Sequence, residues 1–505
     1  MNKETTNPII KLDFPDVDVI RVDDTYYMVS TTMHFMPGCE ILRSYDLIHW
    51  ELAAYVYDKL DSTDQQKLVG TQHIYGKGMW AASLRYHKGT FYVCFVANDT
   101  KKTYLYTATD ITGPWKKQYI EGFYHDCSLL FDDDDRIYIV YGNKEIHLTE
   151  LESDLSKPKK DGLNRVIVVD EGNPGLGYEG SHIYKINGKY YVFFIHSDPK
   201  VWKRIEACFM SDSLEGEFIG GDILNDDLGY HNQGVAQGGI VDTPNGEWYG
   251  ILFQDRAAVG RIPVLVPMTW NNDFPVFGID GKVPSQLTTK SAREDYIYEP
   301  LVGSDDFTHP LKSYWQWNHQ PDLDYCSVDY ESGCYRIQTN KLSTNVTQAV
   351  NTLTQRMRFP SCEAYVTVDG SKLRNGDYAG LCALQGCYGM IALTKENDFY
   401  YLSMRAKTAT DESMTPLEPA LKETEYAKIQ VFDSKVTLKV KVNFMDQIDE
   451  AEFFYFEENQ WKKIGITHKL FFKLDHFTGC RFGLFCYATK EIGGIGAFHK
   501  FEYVI

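Results

Sequence analysis

The stretch Tyr178-Glu179-Gly180-Ser181-His182-Ile183-Tyr184-Lys185-Ile186-Asn187-Gly188-Lys189-Tyr190-Tyr191 holds a carboxylate, an apolar strand, an Asn-Gly turn and a second strand opening on an aromatic pair. Asn-Gly between apolar runs is a strong hairpin signal, because both residues accept the positive φ of a tight turn. The same pattern occurs four more times. Asp16 precedes Val19-Ile20-Arg21-Val22, an Asp23-Asp24 turn and Tyr26-Tyr27, and Trp80 precedes Ser83-Leu84-Arg85-Tyr86, a Lys88-Gly89 turn and Phe91-Tyr92. Asp126 precedes Ser128-Leu129-Leu130-Phe131, an Asp-rich turn and Ile137-Tyr138. Gln237 precedes Gly239-Ile240-Val241, an Asn245-Gly246 turn and Trp248-Tyr249. From leading residue to tyrosine the spacing is 11 in the first copy and 12 in the other four.

Repeats of this length, rich in short strands, predict radial blades around an axis. A second echo predicts turns between outer strands: Ser44-Tyr45-Asp46-Leu47 to Trp50, Thr109-Asp110-Ile111 to Trp115, and Ser211-Asp212-Ser213-Leu214 to Phe218. If the hairpins are the inner strands, Asp16, Trp80, Asp126, Glu179 and Gln237 occupy one equivalent position and converge on a central pocket. The expected fold is all-β: a five-bladed β-propeller over residues 1–278, a linker over 279–304 and a β-sandwich over 305–505. The sandwich rests on strand-like runs such as Ala364–Val368, Phe399–Leu402, Val436–Val440 and Phe453–Phe456, separated by turn residues.

With 505 residues the chain is too long for one ordinary core. A net charge of −19 disfavours nucleic acid or an anionic membrane as partner, while a neutral oligosaccharide remains compatible. No apolar run reaches the roughly 18 residues of a membrane span. Met1 to Phe14 lacks the uninterrupted apolar core of a secretory signal, so a cytoplasmic location is expected. The 11 cysteines show no CxxC pairs and read as reduced, mostly buried thiols.

Two carboxylates on opposite faces of a sugar are what glycosidic cleavage needs, one protonating the leaving oxygen and one activating water. Glu179 is the expected acid, and Asp16, with its shorter reach, the expected base. Asp126 is a third carboxylate whose negative field favours a protonated acid. Arg261, after the fifth hairpin, is expected to hold a pocket carboxylate and a sugar hydroxyl together. Trp80 is either core or a sugar platform. Asp18, Asp23, Asp24 and the run Asp132 to Asp135 read as turn residues. His34, His73, His125, His182 and His231 read as structural or pocket-wall histidines, with no metal triad among them.

These residues resemble glycoside hydrolase family 43. Asp16-Val17-Asp18-Val19-Ile20-Arg21 resembles the family's base segment Asp-Pro-Ser-Val-Ile-Arg, and Asp126-Cys127-Ser128-Leu129 its Asp-Pro-Ser-Leu. Glu179-Gly180-Ser181-His182 resembles its acid segment Glu-Gly-Pro-His, and Trp80-Ala81-Ala82 its Trp-Ala-Pro. Met33-His34-Phe35-Met36-Pro37-Gly38 and Pro267-Met268-Thr269-Trp270 are similar to segments of its two-domain group of β-xylosidases and α-L-arabinofuranosidases. Trp315 to His319 is similar to that group's concanavalin-like sandwich.

The resemblance implies Asp16, Glu179 and Asp126 as catalytic residues and substrate contacts from His34, Phe35, Trp80, Gln237 and Arg261. It implies an inverting exo-hydrolase releasing terminal α-L-arabinofuranosyl or β-D-xylosyl units from arabinoxylan or xylo-oligosaccharides, with its two carboxylates roughly 6.5–9.5 Å apart. No cofactor is required, and a structural calcium is compatible but demanded by no residue. Gln237 stands where some relatives hold a histidine. The alternatives are an endo-arabinanase, which needs an open groove, and a non-catalytic sugar-binding propeller, which predicts a lost carboxylate.

Overall fold

The computed structural model describes residues 2–409 and 422–505. Five four-stranded antiparallel sheets form the propeller, each running outward from the axis in chain order. The innermost strands are Asp18–Val22, Met79–His87, Ser128–Phe131, Glu179–Ile186 and Val235–Asp242, in blades one to five. They are the first halves of the five repeated hairpins. The three echoed Ser/Thr–Asp segments lie between the third and fourth strands of blades one, two and four. In blade one, Ser44 and Asp46 side chains cap the turn by accepting from the backbone N–H groups of Leu47, Ile48 and His49.

Among the described residues no strand of blade one is borrowed from the far end of the chain, so other contacts close the ring. The segment after the first strand runs beside the third strand of blade five: Phe14 N donates to Arg261 O at 2.9 Å and Ile9 N to Pro263 O at 3.1 Å. Asn7 both donates to Leu265 O and accepts from Leu265 N. Arg21 and Asp242 form an ion pair at 2.6 Å between the innermost strands of blades one and five.

Residues 279–304 are more than a linker. Gln286–Lys290 pairs antiparallel with Asn2–Thr6 as a separate two-stranded sheet, joining the N-terminal strand to the crossing between the two domains. Tyr296 and Tyr298 then dock onto Glu51 and the Tyr45 backbone N–H of blade one.

The C-terminal half is a sandwich of two large antiparallel sheets. Alternating burial along Ser361–Lys372 turns Cys362, Ala364, Val366 and Val368 into a core with Leu381, Ile391, Leu438, Phe453 and Phe498. One sheet takes its last strand from the propeller, since Phe35–Met36 pairs with Gln316–Asn318. The propeller thus completes a sheet of the sandwich. All 11 cysteines are buried and none forms a disulfide.

Candidate active site

The five tyrosines of the repeat fix the register. Two residues after Tyr27, Tyr92, Tyr138, Tyr191 and Tyr249 stand Val29, Cys94, Val140, Phe193 and Ile251, which pair with Asp18, Ser83, Ser128, His182 and Gly239. Two residues before those partners lie Asp16, Ala81, Asp126, Gly180 and Gln237. The expectation of one equivalent position is therefore corrected: Trp80 and Glu179 stand one residue earlier on their strands than Asp16, Asp126 and Gln237. The reason is turn length. The hairpins of blades one, two and four close through two residues, whereas Asp132 N–Arg136 O and Thr243 N–Glu247 O bonds leave three in blades three and five. Counting through a longer turn made unequal positions look equal.

A shared backbone device aims these side chains at the axis. Asp16, Asp126, Gly180 and Gln237 all have positive φ, at 51°, 47°, 65° and 56°. In blades two, four and five the ladder slips at this point, a bulge that re-aims the strand end. Aspartate tolerates the left-handed region better than most residues, which suits it to positions 16 and 126. At 180 glycine is needed twice over, since a Cβ would also lie 2.6 Å from the Gln237 side chain.

Asp16, Trp80, Asp126, Glu179, Gln237 and Arg261 all line one cavity of about 580 Å³ at the axis. Asp16 is buried, with Oδ1 accepting from Arg261 Nη1 at 2.7 Å and Oδ2 from Thr31 Oγ1 at 2.8 Å. Burial pushes its pKa above the ordinary value, against the opposing pull of Arg261 and Thr31. A carboxylate so placed is anchored and more basic than in water, as proton abstraction from a nucleophilic water needs. Arg261 Nε and Nη2 are buried with no partner among the described residues, so three of its five N–H donors are unused by the protein.

Glu179 accepts a short hydrogen bond from Asn143 Nδ2 on Oε2. His125 Nε2 lies 3.6 Å from Glu179 Oε2 and 3.7 Å from Asp126 Oδ2. Burial pushes Asp126 up to about 7, opposed by His125 and reinforced by Glu179 and Asp16. The Asp126 charge, offset in part by burial and helped by Glu179, lifts His125 to about 9. His125 and Asp126 thus shift each other as a pair of charges beside Glu179.

His125, Asp126 and Glu179 bring ligand atoms within 4.8 Å of one another, so they could together hold a cation. One imidazole and two carboxylates fit calcium poorly, because that ion takes 6–8 oxygen ligands.

Two expected substrate contacts fall elsewhere. His34 and Phe35 are fully buried and are not among the cavity's lining residues. Phe35 belongs to the strand that completes the sandwich sheet, and Arg481 stacks on its ring at 3.5 Å. His34 packs among Tyr75, His319 and His476 at ring distances of 4.7–5.0 Å. From that loop only Met33 reaches the cavity.

Other lining residues escaped sequence reasoning. Arg204, whose Nε binds Asp255 at 2.6 Å, stands with Leu176 and Trp202 on the blade-four side. Leu474 and Phe477 come from the sandwich and line the cavity too, Phe477 lying 4.7 Å from the Arg261 guanidinium and T-shaped against Trp80. Nothing local in the sequence marks these residues, whereas His125 is flagged by its place beside Asp126.

The sequence model of glycosyl hydrolases family 43 matches residues 5–275, and that of the beta xylosidase C-terminal concanavalin A-like domain matches 304–504. A beta-xylosidase of Formosa agariphila is 26% identical, the match covering 97% of this chain and 88% of that protein. A non-reducing end alpha-L-arabinofuranosidase of Bacteroides ovatus is 27% identical over 63% of this chain and 64% of its own. Among solved structures, a bifunctional GH43-CE protein of Bacteroides eggerthii is 38% identical with a TM-score of 0.91. That match covers all of this chain, which spans 64% of the length of the bifunctional protein.

Proposed function

Since the chain belongs to glycosyl hydrolases family 43, we propose that it is an inverting exo-glycosidase removing terminal α-L-arabinofuranosyl or β-D-xylosyl units from hemicellulose-derived oligosaccharides. The observation that carries this reading is the convergence of Asp16, Asp126 and Glu179 on one cavity to whose lining the sandwich adds Leu474 and Phe477. A cavity walled in part by a second domain favours a chain end over a chain passing through. The endo alternative has no comparable support, and the non-catalytic alternative predicts a missing carboxylate where all three are present.

In this mechanism Asp16, anchored by Arg261 and Thr31, takes a proton from the attacking water. Glu179 gives its proton to the leaving glycosidic oxygen. Asn143 engages Oε2, which leaves Oε1 to face that oxygen. As Glu179 becomes a carboxylate, the His125 imidazolium 3.6 Å away stabilises the new charge. The free Nε and Nη2 of Arg261 can grip sugar hydroxyls beside the base.

The test is hydrolysis of 4-nitrophenyl α-L-arabinofuranoside and β-D-xylopyranoside by wild type, Asp16→Ala and Glu179→Ala. Wild type should cleave at least one, and each variant should lose on the order of 100-fold or more in kcat, since each removes one of the reaction's two proton transfers. Full activity in either variant would reassign the carboxylates, and wild-type silence on both substrates would defeat the proposal.

A further inference from the structure

Innermost strands of neighbouring blades share no ladder hydrogen bonds. Something else must therefore fix the base, the acid and Asp126 relative to one another, since each rides on a different blade. Below the cavity a single guanidinium does this. Arg85, on the innermost strand of blade two, has a side chain only 11% exposed. Its Nη1 donates to Asp18 Oδ2 at 2.6 Å and to Leu84 O at 2.7 Å. Nη2 donates to Ser128 Oγ at 2.6 Å and Ile183 O at 3.1 Å, and Nε to Leu129 O at 2.9 Å. All five N–H donors of the fork are used, across blades one to four.

The partners extend the ring. Asp18 Oδ1 meets His182 Nδ1 at 3.1 Å, Asp18 Oδ2 accepts from Leu84 N at 2.8 Å, and Ser128 Oγ accepts from Ile183 N at 3.0 Å. Ser83 Oγ accepts from Leu129 N at 3.1 Å, and Tyr184 OH accepts from Ile240 N of blade five at 3.0 Å. Asp18 lies two residues after Asp16, Ser128 two after Asp126 and His182 three after Glu179. Asp18 itself was expected to be a plain turn residue, yet it is fully buried at the axis.

We propose that Arg85 is a positioning residue for catalysis: through Asp18, Ser128 and the blade-four backbone it sets the spacing of Asp16, Asp126 and Glu179. A lysine cannot replace it, because a point ammonium with three donors cannot span four strands. Displacing one carboxylate by about 1 Å is enough to cost on the order of 100-fold in rate.

The far end of the axis supplies a discriminating test. A second cavity of about 370 Å³ opens there, lined by hairpin residues including Arg21, Arg85, Tyr184 and Trp248. A small guanidinium ion can reach the Arg85 position from that mouth without crossing the substrate cavity. The inference rests on the glycosidase reading, and wild-type activity on the nitrophenyl substrates is established first, so failure of that reading would show before any variant is made.

Arg85→Ala and Arg85→Lys are then compared with wild type for kcat, KM and melting temperature, with and without methylguanidinium. Expected are a fall in kcat of about tenfold or more in both, with KM changed by less than about threefold, and partial recovery of Arg85→Ala but not Arg85→Lys on adding methylguanidinium. If Arg85→Ala does not fold, Ser128→Ala serves, removing one Arg85 acceptor, and a kcat reduced about threefold or more at unchanged KM is expected. Wild-type kcat in folded enzyme, or a lowered kcat that methylguanidinium leaves untouched in Arg85→Ala, would overturn the proposal.

Discussion

Arg261 directs Nη1 to Asp16 while its Nε and Nη2 have no partner among the described residues, so the same side chain that holds the proposed base carries the donors proposed for the sugar. Its position is set by its own backbone N–H, which donates to Asp13 Oδ1 at 2.7 Å. Because the guanidinium is what opposes the upward push of burial on Asp16, its removal raises the Asp16 pKa further. The base must be ionised, so in Arg261→Gln the acid limb of the kcat/KM profile should move to higher pH. The plateau should fall about 10- to 100-fold, the worth of lost charge-assisted hydrogen bonds. A pH–rate profile checks both, and an unmoved acid limb would separate Arg261 from the base. At this scale the carboxylates were legible in sequence through repetition, because three acids preceding equivalent hairpins is improbable for plain turn residues. His34 and Phe35 misled because a motif locates a loop but does not say which of its side chains face the cavity.

Among elements, the innermost strands are joined by a polar ring whose most buried charge is Asp18. Burial alone would raise its pKa, but Arg85 and His182 outweigh it and hold the carboxylate at about 2. A folded-state value below the ordinary 3.8 means that the stabilisation is present above pH ~4 and is lost as pH falls towards 2. Asp18→Asn should therefore cost about 3 kcal/mol or more near pH 6, where it leaves Arg85 uncompensated. The gap to wild type should narrow between pH 4 and 2, as urea unfolding across that range would show. A constant gap would mean that the ion pair is not what Asp18 contributes. The hairpins themselves were readable from Asn-Gly turns and aromatic pairs. The one-residue offset of Trp80 and Glu179 was not, because turn length becomes visible only through the ladder.

Across the whole molecule, the two domains share a buried charge cluster. Arg356 of the sandwich binds Glu40 of blade one through Nη2, and through Nε it donates to Asp13 O at 2.6 Å. Arg481 donates to Gln316 Oε1 at 2.8 Å beside them. Asp13 in turn accepts from Gly479 N at 2.8 Å, next to the loop carrying Leu474 and Phe477. Glu40→Gln leaves the buried Arg356 guanidinium without its carboxylate and should lower stability by about 3–5 kcal/mol. In denaturant unfolding, a loss of that size in one cooperative transition would show the domains to be coupled. A change under about 1 kcal/mol would mean that the cluster contributes little.

Sequence by itself determined the class of the fold, the number of blades and which three carboxylates would line the axial cavity, because hairpin periodicity and turn chemistry are local and each copy carries its own signal. Tertiary structure alone decided which neighbours complete the site. Arg204, Asn143, Leu474 and Phe477 meet at the axis from separate blades and from the other domain, and no local pattern encodes such a meeting. It also decided that Arg85 and Asp18, ordinary strand and turn residues by sequence, pair across blades, since a buried charge is tolerated only where its partner arrives.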